Sequence, residues 1–348
     1  MASHPGPAIE TSARQRSTAD VEADQMVARV VWYYYVGHLT QHDIAGKLGL
    51  TRLRVNQIIG RARDDGSVRI EVTLPLAQCV AMEDALVRAF GLEEASVVPA
   101  VPGLADTQRV VGKAAGLMLE RLLGDDQDIG IGWGRTLRAT IDRLASRRFV
   151  KTRVVALMGG LTRGSGTSTF EVATYLADLL KADCYYMAAP IYCPSEDSRS
   201  VLLTHYGLAD VMRRAREVSV ALVSCGDLSE ASLLASTSIV RENVGELVAA
   251  GAVGDLLGTF LRADGTAVEQ PLNRRVMALA PRELAQVPVS ILASGGTNKA
   301  PVVHGILKQG YVNRLVTDEA CASRVLAMHR ADTECTEETQ HERPVSGI

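Results

Sequence analysis

TQHDIAGKLGLTRLRVNQIIGRA, residues 40–62, places two helix starts and one helix stop within a short span, and the rest of the chain is read outward from it. Thr40 has the side-chain oxygen of an N-cap, and Asp43 three positions later completes a variant capping box. Ile44, Ala45 and Leu48 recur at the spacing of one buried helix face, and Gly49 stops that helix. Thr51 caps the next, whose Val55, Ile58, Ile59 and Ala62 form the second apolar stripe. Two helices joined by a tight glycine turn, the second one basic, predict a helix-turn-helix that reads DNA.

With Val55, Ile58 and Ile59 turned inward, the outer surface of the second helix carries Arg52, Arg54, Asn56 and Gln57. Arginine suits guanine and the amides suit adenine, through paired hydrogen bonds in the major groove. Thr40, Gln41, Thr51 and Arg61 are placed for backbone phosphates or the helix start, which position without specifying a sequence. Between Met26 and Ile70 stand seven Lys/Arg against three acids, in a chain whose net charge is −3. Such a local surplus is what a phosphate-facing surface requires.

Upstream, Val27, Val30, Val31 and Tyr34 predict a further helix from Asp24 that ends at Gly37. Residues 1–23 mix Ser, Thr, Gly, Pro and charge without periodicity and read as a disordered tail. Downstream, the DDG turn and the alternating Val68, Ile70 and Val72 predict the strand of a wing, closing a DNA-binding domain over 24–75. Met82–Phe90 reads as a short amphipathic helix within a linker spanning 76–94.

From residue 95 to 330, short apolar strands alternate with helices: SVVPAV, DIGIG, RVVALMGG, ADCYYMAA, VSVALVSCGD and PVSILASGG. That alternation implies right-handed crossovers and a Rossmann-like, doubly wound, mainly parallel sheet covered on both faces. Residues 331–348 read as a second disordered tail. The longest apolar runs are of strand length, and the first residues lack the apolar core of a secretory signal, so a cytoplasmic protein with no membrane partner is expected. The six cysteines form neither CxxC pairs nor a disulfide ladder, and they are read as reduced, mostly buried and unconnected with any metal.

Three strands run into glycine and then a helix: DIGIGWGRT (128–136), LMGGLTRGSGT (157–167) and LASGGTNKA (292–300). Turns of this kind expose backbone N–H groups at a helix start, and Arg135, Thr136 and Lys299 add donors suited to phosphate. Open α/β sheets bind ligands at the carboxyl ends of their strands, where all three turns lie. They predict a phosphate or polyol site that includes Gly132, Gly134, Gly295 and Gly296. Asp255, in GAVGDLLG, is either a partner for sugar hydroxyls or a turn acid. The GIGWG run is not a dinucleotide fingerprint and no P-loop occurs, so neither a nicotinamide nor an ATP cofactor is expected.

The competing class is a sugar-phosphate isomerase or deaminase-like enzyme. Proton transfer would need a carboxylate or His beside the substrate carbon. His304, on the apolar run PVVHGIL, is the histidine closest in sequence to a candidate turn and reads as structural. His205 has no motif around it, while Glu171, Asp183 and Asp227 read as helix or strand-end acids. No nucleophile elbow is present, and no catalytic residue is assigned. Ser195, Ser198 and Arg199 in the loop 187–200 are candidates for a second polar contact.

The order of YYYVGHLTQHDIAGKLGLTRLRVNQIIGRARDDGSVRI, GIGWGRT, GAVGDLLGTFLRADG and SGGTNKAPVVHGIL resembles the SorC family of sugar-operon regulators over residues 26–328. The resemblance implies an effector domain related to sugar-phosphate isomerases and glucosamine-phosphate deaminases. It also implies phosphosugar effectors, and homodimers or homotetramers on operator DNA. Carried over, Gly134, Arg135 and Thr136 match the phosphate turn. Asp255 and Leu257 match the hydroxyl-contacting segment, and Lys299 matches the basic residue after the last glycine pair. Where relatives commonly carry Ser-Arg in the recognition helix this chain has Asn56-Gln57, which leaves its operator sequence open. The expectation is a transcriptional regulator, a repressor by preference, of a carbohydrate or polyol operon.

Overall fold

The computed structural model of the chain describes residues 18–68, 76–161 and 167–341, and it divides into two compact units that meet in sequence at Leu74 and Pro75. The first unit holds α1 (Thr18–Tyr35), α2 (Gln41–Leu48) and α3 (Arg52–Asp64). Thr40 caps α2 in a reciprocal capping box with Asp43, Gly49 closes it in the left-handed conformation (φ 66°), and Thr51 caps α3. Val30, Ile44, Ala45, Val55, Ile58 and Ile59 form the small core. Of the predicted wing strand at Val68, Ile70 and Val72, Val68 lies in a bend after α3, and the rest falls within residues 69–75, outside the described residues.

α1 begins at Thr18, six residues ahead of the expected start, so part of the segment read as a tail is helical. The reason is local. Residues 18–24 contain no Gly or Pro, so nothing in the sequence stops the helix from starting ahead of Asp24.

The second unit opens with α4 (Ala77–Phe90), β1 (Glu94–Val98), α5 (Leu104–Leu122), β2 (Asp128–Ile131), α6 (Arg135–Ile141) and β3 (Arg153–Ala156). It continues through α7 (Thr169–Leu180), β4 (Asp183–Tyr185), α8 (Glu196–Thr204), α9 (Tyr206–Glu217), β5 (Val220–Val223) and β6 (Cys225–Asp227). Then follow α10 (Ser238–Ala249), β7 (Gly254–Leu256), β8 (Thr259–Leu261), α11 (Pro271–Arg275), α12 (Pro281–Leu284) and β9 (Val289–Ala293). A 3-10 turn (Thr297–Lys299) leads into α13 (Ala300–Lys308), β10 (Arg314–Asp318) and α14 (Glu319–His341).

Seven strands form one wholly parallel sheet in the order β1-β10-β9-β5-β2-β3-β4. Hydrophobic layers cover both of its faces, as a parallel sheet with helical crossovers requires. The stretch VSVALVSCGD does not stay in this sheet. It breaks at Ser224, and β6 turns away to pair antiparallel with β7, which pairs with β8. That small sheet was not anticipated. Its hairpin turns on Leu257 and Gly258, both left-handed (φ 51° and 80°), the arrangement of a type I′ turn. Asn-Gly would have announced such a turn; Leu-Gly does not.

Two further expectations are corrected. α4 is not a free linker, because Cys79 and Leu86 are buried in the second unit and Glu83 accepts a hydrogen bond from Val97 N–H on the edge strand β1. α14 runs on to His341, so residues 331–341 are helical rather than a tail; no Gly or Pro interrupts them, and Glu and Gln favour the helix.

Candidate functional site

On the first unit the core-facing stripe of α3 leaves Arg52, Arg54, Asn56, Gln57 and Arg61 exposed together, as the periodicity required. Not every cation of the segment is available to a ligand. Lys47 lies over the Tyr33 ring at 4.9 Å, and Arg63 donates from Nε to the Tyr35 hydroxyl at 2.6 Å. Arg69 is outside the described residues. A shallow groove is lined by Tyr34, Thr40, Gln41, His42 and Arg52. Gln41 Nε2 donates to Asn56 Oδ1 at 3.3 Å, so the helix start and the recognition face are in contact.

In the second unit β2, β3 and β4 lead outward to one edge of the sheet, whereas β5, β9, β10 and β1 lead outward to the other. The β5–β2 boundary is therefore the switch point of the sheet, where a crevice opens at the carboxyl ends. A cleft of about 560 Å³, part of it open to solvent, lies there. Trp133, Gly134, Arg135 and Thr136 enter it from β2 and α6, Ser224 through Asp227 from β5 and β6, and Asp255 from β7. Lys299 comes from the turn before α13, Leu104 and Gln108 from α5, and residues 231–234 from the loop after β6.

Glycines set the approach distances. A Cβ on Gly112 would lie 2.6 Å from the carbonyl oxygen of Thr136, and one on Gly116 would lie 2.9 Å from that of Thr140. This pair, four apart on α5, lets α5 lie directly on α6 and fixes where Arg135 and Thr136 emerge. Gly226 is needed for the same reason, since a Cβ there would meet Asp255 Oδ1 at 2.4 Å.

Two carboxylates and two cations converge in this cleft. Asp227 is held at both oxygens: Ser229 donates from N and Oγ to Oδ1, and Asn298 Nδ2 donates to Oδ2 at 3.1 Å. Asp255 is buried and accepts from Gly258 N at 3.0 Å. Burial pushes its carboxyl up to about 6; the Gly258 N–H and the Lys299 ammonium oppose that rise, and the neighbouring Asp227 adds to it. Lys299 is 8% exposed, and among the described residues no hydrogen bond or ion pair occupies its side chain. The same holds for Arg135 at the exposed rim. Cys225 is fully buried, donates to Ser294 Oγ, and is pushed up to about 11 by its burial, so its thiol is inert.

Of the residues read from sequence, Gly134, Arg135, Thr136, Asp255 and Lys299 come together in the cleft. Gly132 and Leu257 do not line it. They pack on each other behind it: a Cβ on Gly132 would lie 3.2 Å from Leu257 Cδ2. Gly295 and Gly296 form the loop behind Lys299, where Asp318 accepts the Gly296 N–H. The expectation of free N–H groups at glycine turns is also narrowed. Gly134 N donates to Thr167 O at 3.0 Å, α6 has only seven residues, and Thr162–Gly166 of the second turn lie outside the described residues.

His304 is not among the cleft residues. Ser195 and Ser198 cap α8, and Arg199 donates to the Val276 carbonyl, so neither the His nor this loop supplies the cleft. The acid overlooked as a strand-end residue is Asp227. Its signal was the SCGD run that ends a central strand with a glycine next to an acid. Among the described residues no group of His, Cys, Asp and Glu could hold a metal ion, and no helix is long and apolar enough to cross a membrane.

Comparison with known proteins gives four matches. The family described as "Putative sugar-binding domain" matches residues 75–327. The transcriptional regulator LsrR of Klebsiella pneumoniae subsp. pneumoniae is 32% identical over 318 residues, 88% of this chain and 94% of that protein. The erythritol catabolism regulatory protein EryD of Brucella abortus is 29% identical over 306 residues, 87% of this chain and 96% of that protein. The full-length sorbitol operon regulator SorC from Klebsiella pneumoniae superposes with a TM-score of 0.68 at 24% identity, covering 88% of this chain and 99% of that one.

Proposed function

The chain belongs to the SorC family of sugar-binding transcriptional regulators, and from that premise we propose that its N-terminal unit grips operator DNA while a small phosphorylated sugar or polyol in the cleft alters that grip. The observation that carries the ligand class is the meeting of Arg135 and Lys299, both unoccupied among the described residues, with Asp227 and Asp255 in one cleft. Cations suit a phosphate and buried carboxylates suit hydroxyls, so an anionic polyhydroxy metabolite matches both halves. The names of EryD and SorC, drawn from erythritol catabolism and the sorbitol operon, support control of a carbohydrate or polyol operon.

Sensing rather than turnover is the reading for the cleft, because the relatives EryD and LsrR are named as regulators; the cleft's thiol is locked in its protonated form, and Asp255, raised to about 6, is the group through which turnover would have to run. As a switch, the ligand must bind the DNA-competent and DNA-incompetent states with different affinity. Repression relieved by ligand is the sign we assign. A homodimer that sets two copies of α3 about 34 Å apart would match a palindromic operator. The site of action is the cytoplasm, where such DNA lies.

The test is a thermal-shift screen of sugar phosphates and free polyols, followed by operator binding with any hit, for the wild type and Lys299→Ala. The variant should lose the ligand response and keep basal operator binding. Loss of both together would mean that the sensing site is misplaced, and turnover of a sugar phosphate by the wild type would restore the enzyme reading.

A further inference from the structure

Resting on the DNA-binding reading of the first unit, we propose that Gln41 determines operator specificity through Asn56, by holding the asparagine amide in one orientation toward the base edges. Gln41 is the first residue of α2 and Asn56 the fifth of α3, and the hydrogen bond from Gln41 Nε2 to Asn56 Oδ1 bridges the two helices. Asn56 stands apart in this respect. Among the described residues, Arg52, Arg54, Gln57 and Arg61 on the same outward surface have no side-chain hydrogen bond or ion pair, so each enters the groove with its rotamers unrestrained.

The backbone beneath Gln41 is rigid, which makes the restraint on Asn56 effective. Thr40 and Asp43 lock the start of α2 reciprocally, and Ile44 and Ala45, three and four residues on, are buried in the core against α3. Gln41 also lines the groove shared with Arg52, Tyr34 and Thr40, where a DNA backbone would run if α3 lies in the major groove. One side chain thus borders the phosphate path and touches a base-reading residue.

The chemical consequence follows from the two ends of the amide. A free asparagine pairs with adenine by donating to N7 and accepting from the N6 amino group. With Oδ1 turned toward Gln41 Nε2, which takes one of its two lone pairs, Asn56 presents its Nδ2 donors more readily than its acceptor. Donors fit the O6 and N7 acceptors of guanine better than the adenine edge. Gln41 therefore tilts the Asn56 position from adenine toward guanine without touching a base.

The experiment is selection of binding sites from randomised duplex DNA by the full-length wild type, Gln41→Ala, Asn56→Ala and Arg54→Ala, with melting curves confirming that each folds. Gln41→Met, which keeps the length of the side chain, replaces the alanine variant if that one does not fold. Asn56→Ala should erase the preference at one base pair in each half-site. Gln41→Ala should lower the guanine-over-adenine ratio at that same pair by roughly fivefold or more, and Arg54→Ala should leave it unchanged. Uniform weakening of all sequences by Gln41→Ala would overturn the proposal, as would a change at a base pair that Asn56→Ala leaves intact. If the wild type enriches no duplex at all, the DNA-binding reading itself fails, and that result is distinct from the other two.

Discussion

Replacing Asp255 by Asn makes the ionisation of the cleft's buried acid measurable. An ordinary aspartate has a pKa near 3.8, and burial raises this one to about 6. The folded chain therefore holds the proton more tightly than the unfolded chain does. Stability from that proton is fully present below pH 3.8 and is lost as pH climbs through about 6. At 1.36 kcal/mol per unit, the loss amounts to about 3 kcal/mol, an order-of-magnitude value. Asn cannot ionise, so the stability of the wild type relative to Asp255→Asn should fall by about that amount from roughly pH 4 to roughly pH 8. Any fixed cost of changing the hydrogen bonds from Gly258 and Gly226 cancels, because only the variation with pH is read. The assay is urea unfolding of both proteins in a Trp32→Phe background. Trp133, buried in the lining of the same cleft, is then the sole tryptophan and reports on the second unit. A stability difference that stays flat across the window would refute the reasoning, for it would mean that Asp255 is either solvated or already ion-paired in the folded chain.

Gly226→Ala should disable the cleft while leaving the parallel sheet in place: its Cβ would fall 2.4 Å from Asp255 Oδ1 and 2.9 Å from Ser232 Oγ. Calorimetric titration with any sugar phosphate found by the screen should show affinity reduced by roughly tenfold or more, about 1.4 kcal/mol. Gly112→Ala tests the seating of α5 on α6, since its Cβ would lie 2.6 Å from Thr136 O and 2.7 Å from Ala139 Cβ. Overpacking of that kind costs about 1–3 kcal/mol, so the urea midpoint should fall; an unchanged midpoint would show that the two helices can part freely.

What the sequence disclosed depended on the range of the interaction. Thr40, Asp43, Gly49 and Thr51 act within a few residues, so the helix-turn-helix could be read from a single stretch and α2 and α3 lie where the capping residues place them. The parallel sheet was legible because strands buried on both faces are apolar without alternation. The cleft was legible only in part. Arg135 and Lys299 stand beside glycine turns and carry their own signal, but Asp227 and Asp255 meet because β6 leaves one sheet and pairs with β7 in another. No local pattern encodes that pairing. Leu257 was assigned by resemblance alone, and the left-handed turn that packs it on Gly132 behind the cleft is likewise a feature no local pattern encodes. The tails were misjudged because composition was weighed over the whole segment, although Gly and Pro are confined to the outer parts.

The position of α13 bears on how occupancy of the cleft is felt elsewhere in the second unit. The helix starts immediately after Lys299, so the cleft's buried cation and the helix are one rigid piece of backbone. Five residues along, His304 packs edge-on against Phe90, the last residue of α4, and His329 of α14 lies against the same Phe90 ring at 4.6 Å. No loop intervenes between Lys299 and α4, the first helix after the boundary at Pro75. His304 is buried, its Nδ1 donates to the Ala263 carbonyl at 3.5 Å, and burial holds its pKa down, so the ring is neutral and its unpartnered Nε2 is a bare acceptor that faces Asp332 Oδ2 at 3.8 Å. Pairing with Asp332 would require Nε2 to be protonated, and not merely α13 to move. A buried polar group left unsatisfied costs about 1–3 kcal/mol, the same size as a typical coupling free energy between two sites. The contact between α13 and α14 thus carries a buried, unsatisfied histidine nitrogen five residues of helix from Lys299, packed against the Phe90 ring that ends α4.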